Sequence, residues 1–306
     1  MKVIGFALSY VHARRIGAEL ALHHLLAHLA GQGHDVQVVT TTAVPRATID
    51  GVHVIPANAR RPQGDVIVVN AGLAGKARQW WPHTPLVIWA HNNQVPTILD
   101  VRAGMAKGNA ALVTNTDHMR DVYRSVLQLD STVLHPPINP GPVTDAGDSV
   151  ALINLTPDKG SDVFWDLAAT NPHLPFLGVR GGYGTQDVRA LDNVSVVDHG
   201  DLADVWARTR ILLVPSRHES YSMVAAEAAT RGIPVIAADL PGIREAAGHG
   251  GTYVINTWQA ALDTTLARWD EKHTNALVHA ASTQAANELT AVTALIEQFR
   301  VTERAA

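Results

Sequence analysis

The chain has 306 residues, no cysteine and a formal net charge of −4, with 46% hydrophobic and 17% charged residues. Disulfides and thiolate metal sites are therefore excluded, and the length suits two domains of ordinary size, each with its own core. No stretch approaches the ~20 apolar residues of a membrane span. The first apolar run reads as a buried strand rather than a signal peptide, so a soluble, cytoplasmic protein is expected, with peripheral membrane contact left open.

Short runs rich in Val and Ile at 3–8, 36–39, 52–55, 66–69, 86–89 and 111–113 read as buried parallel strands. Between the first two, residues 17–29 carry apolar positions at helical spacing, closed by Gly31 and Gly33. This pattern predicts a Rossmann-type domain over 1–140. His24 and His28 stand four apart on that predicted helix. No third ligand accompanies them, so no metal site is expected.

The run His135-Pro136-Pro137-Ile138-Asn139-Pro140-Gly141-Pro142 cannot continue a helix or a central strand and reads as a linker. A second alternating series follows, with strands at 150–155, 176–179, 194–197, 211–214, 235–237 and 252–255. It predicts a second Rossmann-like domain over 148–274. Helical stretches at 257–269 and about 275–300 close the chain. Two such α/β domains direct the C-terminal ends of their strands toward a shared cleft, the usual place for a ligand. Charge is uneven: residues 1–140 hold 12 Lys and Arg against 8 Asp and Glu, and the remainder 12 against 20. A net +4 on the first part fits a domain that meets an anionic partner.

The densest signal runs from Pro215 to Glu245 and reads as strand, loop, helix, strand and loop. Glu219 and Glu227 stand in the order E-x7-E. A helix opening at Ser220-Tyr221-Ser222 would point free N–H groups at its ligand. Amides for phosphates beside carboxylates for hydroxyls suit a nucleotide sugar.

Pro215-Ser216, Glu219, Tyr221-Ser222, Glu227-Ala228, Gly232, Pro234-Val235-Ile236-Ala237, Gly242 and Glu245 stand in register with a known signature. In these residues the chain resembles family 4 of retaining glycosyltransferases, which have the GT-B fold. The resemblance implies two Rossmann-like parallel-sheet domains facing a cleft, with the last helix, about 275–300, packing back on the first domain. It implies transfer of a sugar from a nucleoside-diphosphate donor, UDP- or GDP-linked, with no cofactor, no metal and no obligate protein partner.

The resemblance also implies roles. Glu219 would meet the donor sugar, Glu227 the ribose, and Lys159 with the Ser220, Tyr221 and Ser222 amides the diphosphate. Residues 153–160 match a run in which an arginine joins that lysine; here Asn154 takes the arginine's place, and Arg180 is the candidate replacement. Gly17 matches a glycine near the diphosphate. His91, at a strand end, matches a histidine facing the donor sugar, and a pH dependence near neutrality is expected of it. On the acceptor side, Arg14, Arg15, Trp80 and Trp81 suit an anionic acceptor: a lipid headgroup, a phosphorylated glycan or modified DNA. Two other readings stay open: a nucleotide-sugar epimerase-like enzyme, and an inactive nucleotide-sugar-binding protein.

Overall fold

Alternate residues of the first strand leave it in opposite directions. Val3 and Ala7 join an apolar cluster with Leu22, Leu25 and Leu26, whereas Ile4 and Phe6 join another with Ile88 and Val101. A strand apolar on both faces must be covered on both, and a parallel sheet between helix layers does this. The computed structural model describes residues 1–13, 17–56, 61–138, 140–144, 147–198, 200, 202–254, 257–282 and 285–302.

The chain divides into two units: Met1–Pro137 with Gln284–Ala306, and Ile138–Thr283. The first unit holds strands β1 (Lys2–Ala7), β2 (Asp35–Thr40), β3 (Ala47–Ile49), β4 (Val52–Ile55), β5 (Val66–Asn70), β6 (Leu86–Ala90), β7 (Ala110–Thr114) and β8 (Thr132–Val133). The helices of its Met1–Pro137 part are α1 (Gly17–Gly31), α2 (Ala74–Trp80), α3 (Val95–Met105) and α4 (Asp117–Leu127). The strand order is β3-β4-β2-β1-β5-β6-β7-β8, and every pairing is parallel except β3 with β4. That hairpin, absent from the sequence reading, turns at Asp50 and Gly51, with φ of 47° and 79°. Positive φ at both turn residues is the type I′ signature of tight hairpins.

The second unit holds β9 (Ser149–Ile153), α5 (Ser161–Thr170), β10 (Phe176–Val179), β11 (Val194–Val197), α6 (Ala203–Arg208), β12 (Thr209–Val214), α7 (Met223–Thr230), β13 (Val235–Ala238), α8 (Pro241–Ala247), β14 (Gly251–Val254), α9 (Trp258–Ala267) and α10 (Trp269–Ser282). Its sheet is parallel, in the order β11-β10-β9-β12-β13-β14. Here too adjacent residues diverge: Leu212 and Val214 pack with Tyr221 and Ala225, Ile211 and Leu213 with Phe164 and Leu262. Both units are thus doubly wound. Among the described residues no helix is long and apolar enough to cross a membrane.

The stretch read as one helix over about 275–300 is two. α10 lies in the second unit, whereas α11 (Ala285–Thr302) lies in the first. Val292 and Ile296 of α11 are fully buried in the α1 side of the first core. Glu288 of α11 accepts from the His135 backbone N–H and pairs with its Nδ1, both at 2.8 Å. Ile296→Ala is expected to lower stability by ~2–5 kcal/mol through the cavity left behind. Val278→Ala, at a side chain 63% exposed, should change it by less than ~0.5 kcal/mol. Urea denaturation midpoints of the two variants check this.

Candidate functional site

Strands β10, β9, β12 and β13 are parallel neighbours, so their C-terminal ends and the loops that follow share one edge of the second sheet. The loop after β9 carries Asn154 and Lys159, the loop after β10 carries Arg180 and Tyr183, and the loop after β12 carries Glu219 to Ser222. These loops are pressed together where glycine leaves room. A Cβ on Gly160 would overlap the Pro215 carbonyl, and one on Gly242 would overlap the Ser220 carbonyl. The Gly242 position explains why the run after β13 has glycine there: the start of α8 lies directly on the backbone of the loop before α7.

Lys159 and Glu219 meet at this edge. Lys159 Nζ donates to Glu219 Oε2 at 2.5 Å, and the two side chains are 22% and 15% exposed. Ser216 Oγ donates to the same oxygen at 3.3 Å. Burial acts to lower the Lys159 pKa, but the charge and hydrogen bond of Glu219, with a further contribution from Tyr183, outweigh it and leave it raised. Lys159 is therefore a cation throughout the physiological range. The backbone around the pair is tied down as well: Arg217 N–H donates to Asp158 O at 2.9 Å, and its guanidinium pairs with Asp162 at 3.1 Å.

Helix α7 begins just after Ser220-Tyr221-Ser222 rather than within that run. Ser222 is its cap, with Oγ accepting from Ala225 N–H at 3.4 Å, and Met223 is the first helical residue. The first-turn amides are therefore those of Met223 and Val224 rather than Ser220 to Ser222. Tyr221 is buried in the core beside Ile243. Glu227 lies a turn inside α7 and is half-buried. Burial pushes its carboxyl up to about 7, offset in part by the Arg231 charge. Among the described residues no hydrogen bond to its carboxylate is formed, whereas its backbone carbonyl accepts from Arg231 at 2.8 Å.

Asn154 and Arg180 are both occupied. Asn154 is 6% exposed and left-handed, with φ of 75°, and its Oδ1 accepts from Gln186 Nε2 at 3.0 Å. Asn tolerates this backbone better than most residues, which gives the position a local reason for its asparagine. Arg180 Nε donates to Asp198 at 3.0 Å, on the β11 side of the sheet. Gln186, which sequence reasoning missed, accepts from Leu155 N–H at 3.0 Å and Gly181 N–H at 2.8 Å, and donates to Tyr183 O at 2.9 Å. A side chain that acts on backbone groups leaves no motif.

In the first unit, His91 follows the end of β6, its ring 4.7 Å from that of Trp89. Burial pushes its pKa down to about 4, so the expected titration near neutrality gives way to a neutral imidazole. Gly17 begins α1. Arg14 and Arg15 lie outside the described residues. Trp80 and Trp81 are packing residues, with ring centroids 5.0 and 5.3 Å from Phe6. Trp81 is buried; Trp80 keeps an outer face, with Arg61 3.9 Å and Lys76 5.0 Å from its ring centroid. His24 pairs with Pro137 O at 2.8 Å and His28 with Gln32 at 3.0 Å, so each is engaged separately.

The whole chain superimposes on the Anabaena protein HepE in complex with UDP-glucose, with a TM-score of 0.73 at 18% identity and full coverage of both chains. The fold is GT-B. WaaG, a glycosyltransferase involved in lipopolysaccharide biosynthesis, gives a TM-score of 0.71 at 16% identity over 96% of this chain and 99% of that one. Residues 168–269 match the family model "Glycosyl transferases group 1". That segment includes the loops carrying Arg180 and Glu219 and all of α7. A D-inositol 3-phosphate glycosyltransferase of Gordonia bronchialis is 40% identical over 88 residues, 26% of this chain and 19% of the relative. One of Mycobacterium tuberculosis is 28% identical over 197 residues, 51% of this chain and 40% of the relative. The chain thus spans less than half the length of these relatives.

Gly242→Ala forces the new methyl against the Ser220 backbone. It should lower stability by ~1–3 kcal/mol. Gly200→Ala, whose Cβ would meet nothing within 4 Å, serves as the control, and chemical denaturation of both checks the difference.

Proposed function

We propose that the chain transfers a sugar, with retention at the anomeric carbon, from a nucleoside-diphosphate sugar to an acceptor hydroxyl. The observation that carries this reading is the half-buried Lys159–Glu219 pair, 2.5 Å apart, at the strand edge that also holds the start of α7. A lone phosphate site has no use for a carboxylate beside its lysine; a ligand that joins a diphosphate to a polyol does.

In the reaction the bond from the anomeric carbon to the diphosphate oxygen breaks, and its electron pair leaves with the diphosphate. The acceptor oxygen forms the new bond on the same face, and its proton passes to a departing phosphate oxygen. Lys159 and the first-turn amides of α7 take up the charge of the leaving group. This reading assigns that task to these donors rather than to a metal ion. Glu219 accepts from donor-sugar hydroxyls and favours positive charge developing at the anomeric carbon. Glu227 accepts from the ribose hydroxyls. Neutral His91 is assigned a hydrogen-bonding role toward the substrate. The UDP-glucose bound to HepE supports a uridine donor. The acceptor class we propose is an anionic hydroxyl compound; the phosphorylated polyol in the name of the curated relatives is one example.

Slow hydrolysis of a panel of UDP- and GDP-linked sugars, with free nucleotide quantified, tests the assignment. One donor should release nucleotide, and Glu219→Ala should cut the rate ~100-fold. A sugar altered while still on its nucleotide would instead mean an epimerase. No release, with no thermal stabilisation by any donor, would leave the transferase reading without support.

The raised Glu227 carboxyl adds a pH signature. Burial favours its neutral form, and that contribution to stability is lost as pH rises through about 7. Ribose hydroxyls prefer the ionised acceptor, so UDP-glucose affinity should rise between pH 6 and 8, and Glu227→Gln should flatten the profile. Calorimetric titration at three pH values checks this; the sugar-capped diphosphate does not itself titrate in that window.

A further inference from the structure

The Lys159 turn brings one cation to a site proposed to bind a diphosphate, and Glu219 already neutralises part of its charge. Arg180 is turned onto Asp198 and Asn154 onto Gln186. The loop after β10 closes over the same turn. A Cβ on Gly181 would overlap the Asn154 side chain, and one on Gly184 would stand 2.7 Å from Thr156 Cγ2. Between these two contacts lies Tyr183, a large aromatic left 43% exposed at the loop tip. Gln186 fixes the tip from below: its amide group donates to the Tyr183 and Gly184 carbonyls at 2.9 and 3.2 Å while its oxygen accepts from Leu155 and Gly181 N–H. Tyr183 acts with Glu219 to raise the Lys159 pKa.

We propose that Tyr183 is a diphosphate-binding residue, its phenol donating to a phosphate oxygen beside Lys159, and that Gln186 is the positioning residue that sets the loop over the β9 turn. The proposal rests on the nucleoside-diphosphate reading of the site. Its physical basis is that a neutral O–H donor adds a hydrogen bond to the anion without repelling the adjacent ammonium, and hydrogen bonds to charged groups are the stronger ones.

The test measures dissociation constants of UDP and of uridine for the wild type, Tyr183→Phe, Tyr183→Ala and Gln186→Ala. Tyr183→Phe should weaken UDP by about tenfold or more and leave uridine unchanged, because only the phosphate contact is lost. Gln186→Ala should reproduce that selective loss. Tyr183 is at an exposed tip, so its variants decide the matter even if Gln186→Ala does not fold. Wild-type UDP binding with no loss in Tyr183→Phe overturns this assignment and leaves the transferase reading standing. Loss of UDP and uridine together in Tyr183→Ala, with Tyr183→Phe unaffected, makes the ring a base-stacking platform and equally overturns it. Should the wild type bind GDP and not UDP, the same comparison is made with GDP and guanosine; failure of the wild type to bind either diphosphate overturns both.

Discussion

Close contacts at glycines, which bring no side chain of their own, hold the end of the second sheet together. The loops after β9, β10 and β12 and the start of α8 converge there, and Gly160, Gly181 and Gly242 each sit where a methyl would strike a neighbouring loop. Each contact brings groups distant in sequence to one turn: Pro215 onto Gly160, Asn154 onto Gly181, Ser220 onto Gly242. Lys159 and Glu219, sixty residues apart, can pair at 2.5 Å because the loops that carry them are already in register. Preorganised loops of this kind lower the ordering cost of ligand binding.

The two glutamates of the E-x7-E run occupy opposite environments. Glu219 has two donors, Lys159 and Ser216, so its charge is met before any ligand arrives. Glu227 has no such donor among the described residues, and burial raises its pKa. A ligand hydroxyl at Glu219 must compete with an existing partner, whereas one at Glu227 supplies a missing one. The same residue type eight positions apart can thus serve orientation at one end of a ligand and affinity at the other, with environment setting the difference.

Both doubly wound sheets were readable in the sequence because their strands are continuous Val- and Ile-rich runs, and such runs have few alternatives to a buried parallel strand. Pro215 to Glu245 was readable for another reason: the cap, the helix and the Gly242 contact each demand a residue type at a fixed spacing. The remaining features are those that depend on side chains bonding to backbone or on burial. Gln186 organises its loop through main-chain groups, so nothing in its neighbourhood advertises it. The left-handed backbone at Asn154 is invisible until the strand is seen to end at Ile153. His91 directly follows its strand, but only its surroundings show that it stays neutral. Trp80 and Trp81 stand beside cations in the sequence; what the sequence does not show is that Trp80 also packs on Phe6, a contact 74 residues away.

The division of the chain constrains how it folds. The first unit is discontinuous, since α11 returns to it after the second unit is complete. Its core lacks Val292 and Ile296 until that return, and the His135–Glu288 clasp spans 153 residues. Closing so long a loop through a disordered chain costs entropy that grows with its length. The second unit contains its own cores within Ile138–Thr283, so its folding brings the two ends of the intervening segment under control first. The clasp then joins residue 135 to residue 288 across a folded body rather than a free coil. Docking of α11 is on this argument the late step, and the stability of the first unit depends on a helix encoded at the far end of the chain.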